Sequence, residues 1–169
     1  MPPGEIRPQS PEGEVSRRDL RLLVVEDDVP LSTLIKRIFD SQKGLEKAFC
    51  DNRPEAVKLI EEANSRGKPF DVVITDKGLI GEPDGGFGVI EAANSREYKP
   101  YIVLLTGSAV KDAVGKVSGV MTNEGGLALD ALKKMGINEV WGKPIGIGPF
   151  IDLVDVQKAE LSELENPQA

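Results

Sequence analysis

Four short apolar runs in this chain each lead into polar side chains: Arg21–Val25 ahead of Glu26-Asp27, Asp71–Thr75 ahead of Asp76, Tyr101–Leu105 ahead of Thr106, and Glu139–Trp141 ahead of Gly142-Lys143. The first run is nearly all apolar rather than alternating, the pattern of a strand covered on both faces, as in parallel sheets. A fifth, shorter run near Lys47–Cys50 reads as a further strand.

The segments between the runs carry helical spacing. Leu31, Leu34, Ile35, Ile38 and Phe39 share one face of a helix starting at Pro30. Pro54 sits in the first turn of a second helix, whose Val57, Ile60 and Ala63 face inward with Leu59 beside them. A third helix begins near Gly86 with Val89, Ile90 and Ala93, a fourth spans Leu127–Met135 before Gly136, and a last starts at Pro149 with Phe150, Ile151, Val154 and Leu161. Strand–helix alternation with right-handed crossovers predicts an α/β, flavodoxin-like (βα)5 three-layer sandwich with a five-stranded parallel sheet ordered 2-1-3-4-5. Residues 1–19, with Pro2, Pro3, Pro8, Pro11, Gly4 and Gly13, have neither period and read as a flexible N-terminal arm. Residues 20–162 form the domain and 163–169 a short tail.

In an open parallel sheet the C-terminal strand ends converge on the ligand crevice. Three carboxylates there, Glu26, Asp27 and Asp76, suit a hard divalent cation such as Mg²⁺, which takes a few protein oxygens and keeps waters. The Thr106 hydroxyl and the Lys143 ammonium beside them suit a phosphoryl group, one by hydrogen bonding and one by offsetting charge.

Glu26-Asp27, Asp71-Val-Val-Ile-Thr-Asp76, Val103-Leu-Leu-Thr106-Gly107 and Gly142-Lys143-Pro144, in this order, make the chain resemble the receiver domain of bacterial response regulators. The resemblance runs from about Leu20 to about Ser162 and implies a switch of the two-component type. Asp76 would accept a phosphoryl group from a phosphohistidine on a histidine kinase or histidine phosphotransfer protein. Mg²⁺ or Mn²⁺ would be held by Glu26, Asp27, Asp76 and the main-chain carbonyl of Gly78, with Thr106 and Lys143 completing the site. Such a switch is not an enzyme beyond its own phosphorylation and slow dephosphorylation. It would answer phosphorylation through a downstream protein bound at the face of strands and helices four and five. A cis Lys143–Pro144 peptide is also implied.

The chain departs from the receiver pattern in three places. From Thr106 to Lys143 is 37 positions, roughly fifteen more than one helix of about 11–12 residues and its loops require. The surplus, about 107–126, carries Ala109, Val110, Ala113, Val114, Val117 and Met121 at helical spacing and is expected to add a short helix and a Gly-rich return. Val140 stands where receivers usually carry Tyr or Phe, and strand alternation turns Trp141 to the opposite face, as core. Leu79-Ile80 replaces the usual Met-Pro after the acceptor, so a longer, differently shaped loop is expected there. Lys77 beside the acceptor is either a solvated side chain or a second cation for the phosphoryl group.

Composition narrows the alternatives. The net charge of −7 argues against direct nucleic-acid binding. No apolar run approaches the roughly 20 residues of a membrane span, and no signal-peptide pattern opens the chain, so a cytoplasmic protein is expected. The single cysteine, Cys50, excludes an internal disulfide and reads as strand packing. With no histidine, the chain is not itself a phosphohistidine donor and runs no Ser-His-Asp chemistry. A stand-alone receiver acting through protein binding or onward phosphotransfer is the expectation, an excised part of a longer protein the alternative. The alternative reading is a constitutive interaction module that signals without phosphorylation. A metal-dependent phosphohydrolase fits less well, since no general acid or base stands beside Asp76.

Overall fold

The computed structural model describes residues 18–107 and 129–165 of the chain. Five strands, β1 (Leu20–Val25), β2 (Leu45–Cys50), β3 (Val72–Asp76), β4 (Tyr101–Thr106) and β5 (Glu139–Gly142), form one parallel sheet in the order β2-β1-β3-β4-β5. Helices α1 (Val29–Asp40), α2 (Arg53–Ser65), α3 (Gly85–Ala93), α4 (Leu129–Lys134) and α5 (Ile147–Glu165) alternate with them. This is the flavodoxin-like sandwich that the alternation predicts.

Strand alternation divides the core into two layers. Leu23, Val25, Val73, Ile102, Leu104 and Val140 pack with α2, α3 and Leu132 of α4. Leu22, Val24, Val72, Ile74, Val103, Leu105 and Trp141 pack with Ile35, Ile38 and Phe39 of α1 and Phe150, Leu153 and Val154 of α5. β1, β3 and β4 are thus covered on both faces, which is why their sequences lack a polar period. Trp141 meets Phe150 edge-to-face, centroids 5.1 Å apart, and Phe150 meets Phe39 in the same way at 6.0 Å. Cys50 is buried at the end of β2, and burial pushes its thiol up to about 12.

The helix ends follow local chemistry. Asp28 caps α1 by accepting from Leu31 N at 2.9 Å, and Asn52 caps α2 by accepting from Glu55 N at 2.9 Å. The buried stripe of α2 is Ala56, Ile60 and Ala63, with Val57 only half-buried, because spacings of four and three keep one face toward the sheet. Gly136 closes α4 in the left-handed region, φ 81°, with Ile137 N returning to Leu132 O at 3.1 Å. α5 begins at Ile147, two residues before Pro149, and runs through Glu165 into the expected tail.

Most of the expected arm, residues 1–17, and the extra helix expected within 107–126, beyond Gly107, lie outside the described residues. Arg18 is part of the fold. Its guanidinium grips the buried Asp71 carboxylate at 2.8 and 2.9 Å, and Asp71 also accepts from Arg21 N at 2.8 Å and Tyr98 Oη at 2.7 Å. Among the described residues no helix is long and apolar enough to cross a membrane.

Candidate functional site

Parallel register brings the polar strand ends together. Val25 pairs with Thr75, Asp76 with Leu105 and Thr106 with Gly142, so the residues closing β1, β3, β4 and β5 lie along one edge of the sheet. Lys143 N donates to Thr106 O at 2.8 Å and Lys77 N to Leu105 O at 2.8 Å, carrying the ladder up to the site on both sides of β4. The Lys143–Pro144 peptide is cis.

The side chains converge as the strand ends do. Lys143 Nζ lies 2.8 Å from Asp76 Oδ2 and 3.0 Å from Glu26 Oε2. Carboxylate oxygens of Glu26, Asp27 and Asp76 all lie within 4.8 Å of one another. Glu26 is buried; its Oε1 accepts from Asp28 N at 2.9 Å, and its Oε2, which makes no geometric hydrogen bond, is ion-paired with Lys143 at 3.0 Å. Burial pushes the Glu26 carboxyl up to about 7; the Asp28 N–H works against this, the Asp76 charge adds to it, and the Lys143 ammonium opposes it. Burial pulls the Lys143 ammonium down, but Asp76 and Glu26 outweigh burial and leave it raised, so it is charged at neutral pH.

The donor set fits a hard divalent cation: three carboxylates, one of them presenting a buried oxygen without a hydrogen bond. Thr106 is buried at the end of β4 beside this cluster. Gly78 lies in the loop after Asp76, packed against the Pro83 carbonyl.

The loop after Asp76 carries a turn of its own. Leu79 and Glu82 exchange backbone hydrogen bonds at 2.9 and 2.8 Å across Ile80-Gly81, and Gly81 takes φ 72°, so the segment is a tight two-residue turn. Leu79 plugs into the α2/α3 layer while Ile80 stands exposed at the tip. Arg53 of α2 holds Glu82 at 2.7 Å. Lys77 is directed to Asp84, 3.7 Å away, the contact of a partly solvated ion pair rather than a second cation committed to the cluster.

Of the residues singled out in the sequence, Glu26, Asp27, Asp76 and Lys143 cluster, and Thr106 closes the neighbouring strand β4. Two supports escape the sequence: Asp28, the cap of α1, also donates its N–H to Glu26, and Arg53 anchors the loop. The first is a backbone N–H with no side-chain signature, and the second joins residues 29 positions apart.

No protein-family model matches the sequence, and no curated protein matches it. Solved structures do match in fold. The signal receiver domain of a protein described as a LuxO repressor from Vibrio parahaemolyticus superposes with a TM-score of 0.64 at 20% identity, over 89% of this chain and 98% of that one. The chain has the receiver fold of two-component response regulators. A receiver domain of the sensor histidine kinase PA1611 from Pseudomonas aeruginosa, which has a magnesium ion coordinated in its active-site cleft, gives 0.58 at 18% identity, over 83% and 98%. The receiver domain of the histidine kinase CKI1 from Arabidopsis thaliana, complexed with Mg²⁺ and BeF₃⁻, gives 0.57 at 18%, over 83% and 93%.

Proposed function

We propose that this receiver domain is a phospho-accepting switch with Asp76 as acceptor, Glu26, Asp27, Asp76 and the Gly78 carbonyl as holders of Mg²⁺ or Mn²⁺, and Thr106 and Lys143 as phosphoryl ligands. The observation that carries it is the meeting of three carboxylates with one lysine, 2.8 Å from Asp76, at the strand ends of a receiver fold. When bound, the cation would neutralise charge that otherwise repels an incoming phosphoryl group.

The side chains can then perform the transfer. An Asp76 carboxylate oxygen attacks phosphorus in line; the new O–P bond forms as the P–N bond to the partner's imidazole breaks, and that imidazole leaves with the bonding pair. Lys143, already paired with Asp76, can pass to a phosphoryl oxygen, and the Thr106 hydroxyl can donate to another. The donor is a histidine kinase or a histidine phosphotransfer protein, since this chain has no histidine. The output is a change in protein binding at the β4-α4-β5-α5 face.

A second reading, constitutive binding without phosphorylation, draws on one observation: Val140 and Trp141 lie in opposite core layers, so the aromatic of the usual receiver switch is absent from its position. Intact mass after incubation with acetyl phosphate and Mg²⁺ separates the two. The first reading expects one added phosphoryl group, lost in Asp76→Asn and with EDTA. If the chain takes no phosphoryl group and no beryllofluoride, the second reading replaces it.

A further inference from the structure

The geometry points to Gly86 as a positioning residue for the acceptor: it sets where the end of β3 carries the Asp76 carboxylate, and thereby the rate at which Asp76 takes a phosphoryl group. This deepens, and rests on, the reading of Asp76 as acceptor.

Gly86 is the second residue of α3 and is not in the left-handed region, so backbone conformation does not demand a glycine there. Proximity does. Gly86 N donates to Lys77 O at 2.9 Å, and a Cβ at this position would stand 2.0 Å from the Asp76 carbonyl oxygen and 3.0 Å from both Asp76 C and Lys77 Cα. Ordinary contacts between such atoms are about 3.5–4.0 Å, so more than an ångström is missing. Asp76 cannot retreat without cost, because β4 holds the opposite side through the Asp76–Leu105 pairing and the Lys77 N to Leu105 O bond of 2.8 Å. The absent side chain therefore lets the first turn of α3 rest on the acceptor's own backbone.

Neighbouring glycines provide the contrast. A Cβ at Gly88 would lie 2.5 Å from Arg53 Cδ, part of a flexible side chain that can swing away, and one at Gly85 would meet side-chain atoms of Glu82 and Leu79 at 3.1–3.2 Å. Among the described glycines, Gly86 alone is opposed by backbone at such a distance. The Asp76–Lys143 contact of 2.8 Å and the carboxylate cluster around it would not survive a shift of an ångström intact.

The test uses the full chain as wild type, Gly86→Ala and Gly88→Ala, following phosphorylation by acetyl phosphate with Mg²⁺ through intact mass, beside far-UV circular dichroism and melting. Gly86→Ala is expected to melt cooperatively yet phosphorylate about 100-fold more slowly at saturation, the usual cost of a 1 Å misplacement. The half-saturating acetyl phosphate should barely move, because Gly86 touches no donor. Gly88→Ala should stay within about twofold of wild type. A Gly86→Ala rate equal to wild type, or losses in both variants that track melting, overturns the role while leaving Asp76 as acceptor. A wild-type chain that accepts no phosphoryl group removes both readings. If Gly86→Ala does not fold, hydrogen exchange at the Gly86 amide of the wild type decides: protection that deepens with Mg²⁺ and beryllofluoride supports the contact, and exchange at the unprotected rate overturns it.

Discussion

Burial keeps the Glu26 carboxyl protonated up to about pH 7, whereas a cation at the same cluster needs it ionised. If the cluster takes Mg²⁺ as proposed, binding should release a proton below that pH, and apparent affinity should fall about tenfold per pH unit there. Calorimetric titration from pH 5.5 to 8 checks this, with Glu26→Gln expected to bind more weakly and without the pH slope. The sign for stability is the reverse. The folded chain holds a proton that the unfolded chain releases near 4.5, so without the cation stability should decline as pH rises from about 4.5 to about 7. At this scale the polar site was readable because each member closes an apolar run. Gly86 was not, since nothing local distinguishes it from Gly85; only the approach of α3 to β3 does. Arg18 was hidden for a related reason: its Pro- and Gly-rich neighbours suggest an arm, while its partner Asp71 lies 53 residues away.

Elements reveal themselves through period, and the strands and helices followed theirs closely because both faces of the sheet are filled. The β3–α3 loop shows where that logic ends. Leu79 looks like one more loop residue, yet the Ile80-Gly81 turn drives it into the core. Trp141 illustrates the opposite case, an aromatic whose role follows from strand alternation alone. It should behave as core: Trp141→Ala is expected to cost about 3–5 kcal/mol in urea unfolding, while the folded variant still accepts a phosphoryl group. Arg18 ties the start of β1 to the start of β3. Burial works to raise the Asp71 carboxyl, but Arg18, Arg21 N and Tyr98 outweigh it and hold the group below its usual range. Removing the half-exposed guanidinium in Arg18→Ala should cost about 1–2 kcal/mol at neutral pH after screening is allowed for. The lowered pKa makes this stabilisation full above the unfolded value and lost as pH falls through the folded one, so the gap between wild type and variant in urea unfolding should close in acid.

For the whole molecule, the position of the site at four strand ends links local chemistry to a wide surface. β4 ends on Thr106 and Lys143 directly follows β5, whereas β2, at the far edge, contributes no side chain to the cluster. A ligand that draws Thr106 and Lys143 inward must pull on β4 and β5 and leave β2 largely alone. Packed cores respond to such a pull by discrete rearrangement rather than smooth bending. Hydrogen exchange with Mg²⁺ and beryllofluoride, against Mg²⁺ alone, should therefore show changed protection along β4, β5 and the start of α5, with β2 and α2 unchanged. Lys143→Ala should confine the change to the loop after Asp76, because the only ammonium joining β5 to Asp76 among the described residues is gone. Val140 bears on the outcome. Its buried position in the α2/α3/α4 layer leaves no aromatic to change places with Thr106, so any transmission must run through backbone displacement of β4 and β5. A response restricted to the acceptor loop in the wild type would sever phosphorylation from the β4-α4-β5-α5 face and favour the constitutive interaction module.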